Sequence, residues 1–234
     1  DQSVYSTPFN NAGSVSYWKY DPQRRQQHSA NWKNFEETAQ TISARKISNA
    51  DSLSQIINQY SLVTDKNSIH SYCDQFYDNE LRKYRDREIT ILEIGCDQGG
   101  SLELWARYFK SAKVIGYDIT YRGKLETLPK IFPNITVKLQ NAYDYEAVAN
   151  TPMCDIIIDD GPHSIESQLF FIKNYSLKLK PGGMLIIEDI ASEENLKYIK
   201  SHIPFHLQQH AKVYDLRSIK NRYDDLMLVI KLPE

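Results

Sequence analysis

A doubly wound α/β sheet closed by an antiparallel last strand is the fold class this sequence predicts, and three observations carry it. From residue 89 to residue 202, short apolar runs alternate with amphipathic stretches, the pattern of parallel strands joined by helical crossovers. A glycine-rich turn follows the first of these runs and opens a helix, as a ligand-binding sheet of this type requires. The last two apolar runs have a polar loop and no crossover between them, which makes a hairpin.

Before the sheet, Leu53, Ile56, Ile57 and Tyr60 recur on one face of a helix, and a second helix is expected over Ile69–Tyr84. Strands are expected at Ile89–Ile94, Lys113–Tyr117, Ile135–Leu139, Asp155–Ile158 and Met184–Ile187, short runs often β-branched and followed by turn or acidic residues. Helices are expected between them at Ser101–Phe109, Gly123–Ile131, Tyr143–Ala149, Ser164–Leu179 and Glu193–His202. In the first, Leu102, Trp105, Tyr108 and Phe109 share the face that would cover the sheet. Ala211–Leu216 and Asp225–Leu232 form the closing hairpin, with no helix between them.

The chain has 234 residues, room for one domain with an appendage. Residues 1–50 are rich in Ser, Asn, Gln and Tyr and poor in Leu, Ile and Val, so they read as a polar arm or linker, and the catalytic domain takes residues 51–234. The 28 basic residues are spread through a chain of net charge −2, which argues against nucleic acid as a partner. Cys73, Cys96 and Cys154 form no disulfide-like framework and point to a reducing compartment, the cytoplasm. Runs such as Met184–Ile187 and Leu226–Ile230 are far short of the roughly 20 residues that span a bilayer. The first residue is Asp and no signal-peptide pattern succeeds it, so a domain excised from a longer polypeptide is expected.

In such sheets ligands bind at the carboxyl ends of the strands, near the point where strand order reverses. The first strand runs into Glu93-Ile94-Gly95-Cys96-Asp97-Gln98-Gly99-Gly100-Ser101, where Gly95 and Gly99 let the backbone approach a ligand closely. Asp118, at the end of the second strand, is placed to accept hydrogen bonds from a ribose diol. A glycine turn and an acid suit nicotinamide cofactors as well. Glu93, which can hold a ligand ammonium, and the terminal hairpin favour S-adenosylmethionine. The fourth strand ends in Asp159-Asp160-Gly161-Pro162-His163 and the fifth in Glu188-Asp189, so four carboxylates and an imidazole converge beside the cofactor. Acids so crowded repel one another unless a cation offsets them. A hard divalent ion with oxygen ligands, Mg²⁺ or Mn²⁺, is the natural solution.

The run Glu93–Ser101, with Asp118 and the hairpin, resembles the class I S-adenosylmethionine-dependent methyltransferases, whose Rossmann-like fold is a seven-stranded sheet with an antiparallel last strand. A more specific similarity joins Thr64-Asp65-Lys66, His70, Tyr72, Leu92-Glu93-Ile94-Gly95, Ser101-Leu102 and Trp105. This set is similar to the macrolide sugar O-methyltransferases of the mycinamicin and macrocin type, and to the cephalosporin-hydroxylase-type proteins, over about residues 62–190.

The resemblance implies that Lys66 and His70 lie near the cofactor, together with Glu93, Gly95, Gly99, Ser101, Asp118 and Asp159. At the third strand the family tends to carry Gly-Asp-Gln-Ser where this chain has Gln140-Asn141-Ala142-Tyr143, leaving Asn141 as the adenine contact. Mapped residue by residue, the family's metal ligands fall on Asp160, Glu188 and Asp189 and its general base on His163; Pro162 replaces the usual Ser and keeps the spacing from Asp160 to His163.

The activity this resemblance implies is methyl transfer to a sugar hydroxyl of a glycan or glycoside, leaving S-adenosylhomocysteine. A catechol-type metal-dependent O-methyltransferase and a non-catalytic nucleotide-binding module are the competing readings; a dehydrogenase lacks a recognisable hydride-relay site. The polar arm and the family match also resemble fusions with other glycan-building domains in large DNA viruses, chloroviruses among them. That resemblance implies a deoxysugar acceptor such as rhamnose and a host-cytoplasm location. His202, His206 and His210 recur at four-residue spacing, but Pro204 interrupts the helix that would align them, so they read as solvated.

Overall fold

The computed structural model describes residues 51–234, and the arm expected over residues 1–50 lies outside them. Among the described residues seven strands form one sheet: β1 Glu88–Ile94, β2 Ser111–Asp118, β3 Ile135–Leu139, β4 Cys154–Asp159, β5 Leu179–Ile187, β6 Ala211–Asp215 and β7 Leu226–Lys231. Their order is β3-β2-β1-β4-β5-β7-β6. The first five run parallel, and β7 enters antiparallel between β5 and β6. This is the doubly wound sheet with an antiparallel last strand, and strand order reverses between β1 and β4.

The parallel strands read as near-continuous apolar runs because both faces are covered. One face packs Ile91, Ile156, Ile158, Met184 and Val229 against Trp105, Phe76 and Tyr77. The other packs Leu92, Ile157, Leu185 and Leu228 against Phe171, Tyr175 and Ile199.

Of the helices, α1 (Leu53–Tyr60) opens on a capping box, in which Ser52 and Gln55 exchange side-chain to backbone hydrogen bonds. A single turn, α2 (Asp65–Ser68), comes next. The helix expected over Ile69–Tyr84 is broken into a π turn at Cys73–Tyr77, α3 (Asp78–Leu81) and a 3₁₀ turn at Arg82–Tyr84. After β1 comes α4 (Gly100–Tyr108), and after β2 only α5 (Leu128–Ile131) is helical within the expected Gly123–Ile131. Pro129 fits the first turn of α5, and Gly123, at φ +53°, holds the preceding turns out of helical geometry.

The remaining helices are α6 (Tyr145–Ala149), α7 (Ile165–Tyr175), α8 (Glu193–Ser201), α9 (Phe205–Gln208) and α10 (Arg217–Lys220). The last of these is a helical turn inside the hairpin connection, where none was expected. His202 and His206 are exposed, on either side of the break at Pro204. No helix among the described residues is long and apolar enough to cross a membrane.

Register fixes what meets at the carboxyl edge. Glu93 pairs with Ile158, and Asp159 pairs with both Ile94 and Ile187, so β1, β4 and β5 end at one level. Backbone bonds carry the ladder past those ends, Asp160 N donating to Ile94 O at 2.9 Å and Glu188 N to Asp159 O at 3.1 Å. Because β7 is antiparallel, its first residues rather than its last reach this edge, with Leu228 opposite Ile187.

Candidate active site

Lys66 enters the sheet edge from α2, which Thr64 caps through its side-chain oxygen. The segment reaches this position because residue 100 has no side chain: a β-carbon there would stand 1.7 Å from the Val63 carbonyl oxygen. The Lys66 side chain is 1% exposed, and its ammonium meets three carboxylates. It lies 2.7 Å from Asp160 Oδ2, donates to Glu188 Oε2, and stands 3.1 Å from Glu93 Oε1. Burial alone would lower its pKa, but Asp160, Glu188 and Glu93 outweigh burial and hold it well above the usual lysine range.

The acids around Lys66 are held from behind. Trp105 Nε1 donates to Glu93 Oε2 at 2.9 Å, and the Tyr77 hydroxyl donates to Glu188 Oε1. Burial pushes the Glu188 and Asp160 carboxyls up, against the pull of Lys66. Asp159, 2% exposed, accepts from the Tyr143 hydroxyl, and burial raises its pKa to about 7 despite that bond and the Gly161 amide. Its Oδ2 is a buried acceptor without a hydrogen-bond partner, while Glu93 Oε1 has only the Lys66 ammonium at 3.1 Å. A buried carboxylate oxygen left open at a sheet's switch point fits a ligand that brings an ammonium group with it.

On the outer side of Lys66, Asp160, His163 and Asp189 each offer a ligand atom within 4.8 Å of the others. His163 Nε2 is 3.8 Å from Asp160 Oδ1 and 3.7 Å from Asp189 Oδ2, beyond hydrogen-bond reach. Burial lowers the His163 pKa, with Asp189 opposing, so the ring is neutral at pH 7. Both His163 and Asp189 have φ +55°, a left-handed conformation rare for residues with a side chain. The Tyr72 hydroxyl donates to Asp189 Oδ1. Two partly exposed carboxylates suit Mg²⁺, which binds through one or two carboxylates and keeps several waters.

Glu188 stands apart from this group, its two oxygens engaged by Lys66 and Tyr77. Lys66 thus supplies these acids with a cation from the chain itself, and Glu188, expected as a metal ligand with Asp160 and Asp189, has both oxygens engaged.

At the cofactor end, Gly95 and Gly99 have φ +82° and +81°. A β-carbon on Gly95 would stand 1.9 Å from the Asp160 carbonyl oxygen, so its bareness lets the β1 and β4 exits touch. Asp118 Oδ2 accepts from the amides of Cys96 at 2.9 Å and Asp97 at 3.1 Å, and Oδ1 from Thr120 at 3.0 Å. It therefore organises the glycine turn, and its remaining lone pairs are what a ribose could use. Ser101 is buried in the first turn of α4. Asn141 is exposed, its Oδ1 accepting from Tyr143 N at 3.0 Å.

His70, expected near the cofactor, is buried with a carboxylate at each ring nitrogen, Asp225 at Nδ1 and Asp189 at Nε2. Asp225, Tyr77, Tyr143 and Gly100 are site residues that sequence reasoning missed. Only Gly100, the third glycine of its turn, carried a visible signal.

A seven-stranded sheet of this order, with a glycine turn and carboxylates at the switch point, defines a class I methyltransferase fold. The chain belongs to the methyltransferase-domain family, whose model matches residues 66–226. It is 30% identical over 134 residues to the 8-demethyl-8-alpha-L-rhamnosyl tetracenomycin-C 2'-O-methyltransferase of Streptomyces olivaceus, covering 54% of this chain and 35% of that relative. It is 29% identical over 161 residues to the demethylmacrocin O-methyltransferase of Streptomyces fradiae, covering 64% of this chain and 39% of that relative. The matched stretch is thus well under half of each relative. Among solved structures, the MycE methyltransferase of the mycinamycin biosynthetic pathway, in complex with Mg and SAH, superposes with a TM-score of 0.61 at 21% identity, covering 78% of this chain and 55% of that chain. That likeness is one of fold.

Proposed function

We propose that this chain is a metal-dependent O-methyltransferase that moves a methyl group from S-adenosylmethionine to a sugar hydroxyl, with a deoxysugar such as rhamnose in a glycan or glycoside as the acceptor. The observation that carries the reading is the cluster of Asp160, His163 and Asp189 beside the glycine turn. Support for the sugar comes from the relatives' names, two of which specify rhamnosyl tetracenomycins.

In this reading the unpartnered oxygen of Asp159 and the Glu93 carboxylate receive the amino-acid end of the cofactor, and Asp118 receives its ribose. S-adenosylmethionine supplies an electrophilic methyl group on a sulfonium. Asp160 and Asp189 would hold Mg²⁺ or Mn²⁺, which as a Lewis acid makes an acceptor hydroxyl more acidic. Glu188 serves the site through Lys66. His163, neutral at pH 7, takes the hydroxyl proton at Nε2 as the oxygen acquires the methyl group, and S-adenosylhomocysteine leaves.

Incubation with methyl-labelled S-adenosylmethionine and a panel of rhamnosides, other glycosides and catechols, with and without EDTA, tests this directly. Label on a glycoside, lost in EDTA and restored by Mg²⁺, is the expected result. Transfer to catechols alone overturns the acceptor class, and full turnover in EDTA overturns the metal.

A further inference from the structure

We propose that Asp225 and His70 form a positioning pair that fixes the Asp189 carboxylate beside His163. The inference rests on the function proposed above, because Asp189 is there a metal ligand. His70 is 3% exposed, its Nδ1 hydrogen-bonded to Asp225 and its Nε2 3.5 Å from Asp189 Oδ2. The ring stacks on Tyr72, with centroids 4.7 Å apart and planes 14° from parallel, and the Tyr72 hydroxyl donates to the other oxygen of Asp189. Each oxygen of Asp189 therefore faces one member of a stacked pair of rings.

Two further features point to the same role. Asp189 is held at φ +55°, a conformation unfavourable for a non-glycine residue that persists only where the surroundings over-determine it. Asp225 is 0% exposed and hydrogen-bonds His70 through Oδ1, while its Oδ2 is unpartnered, a destabilising setting for a carboxylate. The antiparallel entry of β7 delivers it, Ile190 N donating to Leu226 O at 3.0 Å. Lys220 Nζ ties the preceding loop to the carbonyls of Asn67 at 2.6 Å and His70 at 2.8 Å. With Nδ1 hydrogen-bonded to Asp225, the ring turns its Nε2 toward the Asp189 carboxylate.

Partners that orient metal ligands are worth about 10–100-fold in metal affinity or activity. The test measures Mn²⁺ affinity by electron paramagnetic resonance in the presence of S-adenosylhomocysteine, with no acceptor. Asp225→Asn, and His70→Phe, which keeps the stack on Tyr72, should each raise the Mn²⁺ dissociation constant about 10–100-fold. S-adenosylhomocysteine affinity should stay within about twofold in both, since neither side chain touches the cofactor in this reading. Asp189→Asn alone should weaken Mn²⁺ comparably, and adding Asp225→Asn to it should cost nothing further. If Asp225→Asn fails to fold, His70→Phe decides.

Wild-type Mn²⁺ affinity in the folded variants overturns the pair while leaving the proposed function intact. Loss of cofactor affinity in His70→Phe overturns it in favour of a direct cofactor contact. A wild-type protein that binds no Mn²⁺ overturns the metal reading and the pair with it. One that binds Mn²⁺ but methylates no glycoside overturns only the acceptor.

Discussion

The ammonium of Lys66 hydrogen-bonds the carboxylate of Asp160 at 2.7 Å, joining a one-turn helix before the sheet to the exit of its fourth strand. With Glu93 and Glu188 on its other sides, this lysine is the counter-ion of the site's buried half. In the function proposed above, a divalent ion would have to neutralise only the outer half, where Asp160 meets Asp189 and His163.

Lys66→Gln should destabilise the protein strongly, because breaking a buried ion pair costs about 3–5 kcal/mol. At about 2–4 °C per kcal/mol for a domain of this size, the melting temperature should fall by roughly 10 °C. Mg²⁺ should recover more of that loss in the variant than it adds to the wild type, since Glu188 and Asp160 are then free to ligate it. Melting within about 2 °C of wild type would mean that Lys66 neutralises nothing.

The sheet was legible because parallel strands covered on both faces need uninterrupted apolar runs, and β1 to β5 carry them. Glu93, Asp118, Asp159, Asp160, Glu188 and Asp189 came from the rule that ligands gather at carboxyl ends. Asp225 escaped that rule because β7 is reversed, so its leading residue, not its trailing one, reaches the edge. Nothing in the sequence marks Tyr77 and Tyr143 as site residues, since which carboxylate a hydroxyl meets is a long-range fact. Nor could the sequence show that Glu188 turns inward to Lys66 while Asp189 turns outward to His163, since the two acids are adjacent in the chain. Lys66 and His70 came into view only through a family resemblance, and periodicity alone would have left them on the surface.

Asp159→Asn should stabilise the ligand-free protein at alkaline pH. The folded-state pKa of about 7 lies above the ordinary aspartate value of about 3.9. A raised pKa means that stability is fully present below about pH 3.9 and is lost as pH rises toward 7, at about 1.4 kcal/mol per unit. Asn keeps an acceptor for the Tyr143 hydroxyl and does not titrate. Melting curves from pH 4 to 9 should diverge upward in the variant's favour, and parallel curves would show that Asp159 ionises normally.

Gly100→Ala tests how Lys66 is delivered. Its β-carbon would sit 1.7 Å from the Val63 carbonyl oxygen, which is backbone and has little room to move. Overpacking of this kind costs about 1–3 kcal/mol or more. The displaced segment should also draw Lys66 from its three acids, so S-adenosylhomocysteine affinity should fall with the melting temperature. Unchanged values for both would mean that the segment before Lys66 adjusts freely.

His163→Ala should lower kcat by roughly 10²–10⁴, the usual worth of a positioned general base, while S-adenosylhomocysteine affinity stays near wild type. The two effects separate because the imidazole faces Asp160 and Asp189 on the outer side of the site, whereas Asp159 with its unpartnered oxygen and Glu93 beside Lys66 lie on the inner side. The left-handed backbone at His163 sharpens the expectation: at φ +55° the loop stores strain that alanine does not relieve, so the variant should fold without gaining stability. His163→Gly, which does relieve it, should be at least as stable as the alanine variant and equally slow. The pH profile gives an independent reading. Burial lowers the His163 pKa below its ordinary value of about 6.5, so wild-type kcat/KM should rise through a pKa under 6.5 and then level off, activity being lost as acid protonates the ring. In His163→Ala that acid limb should disappear. Near-wild-type turnover with the limb retained would show that another group takes the proton, with Asp189 or Asp160 as the bases to test next.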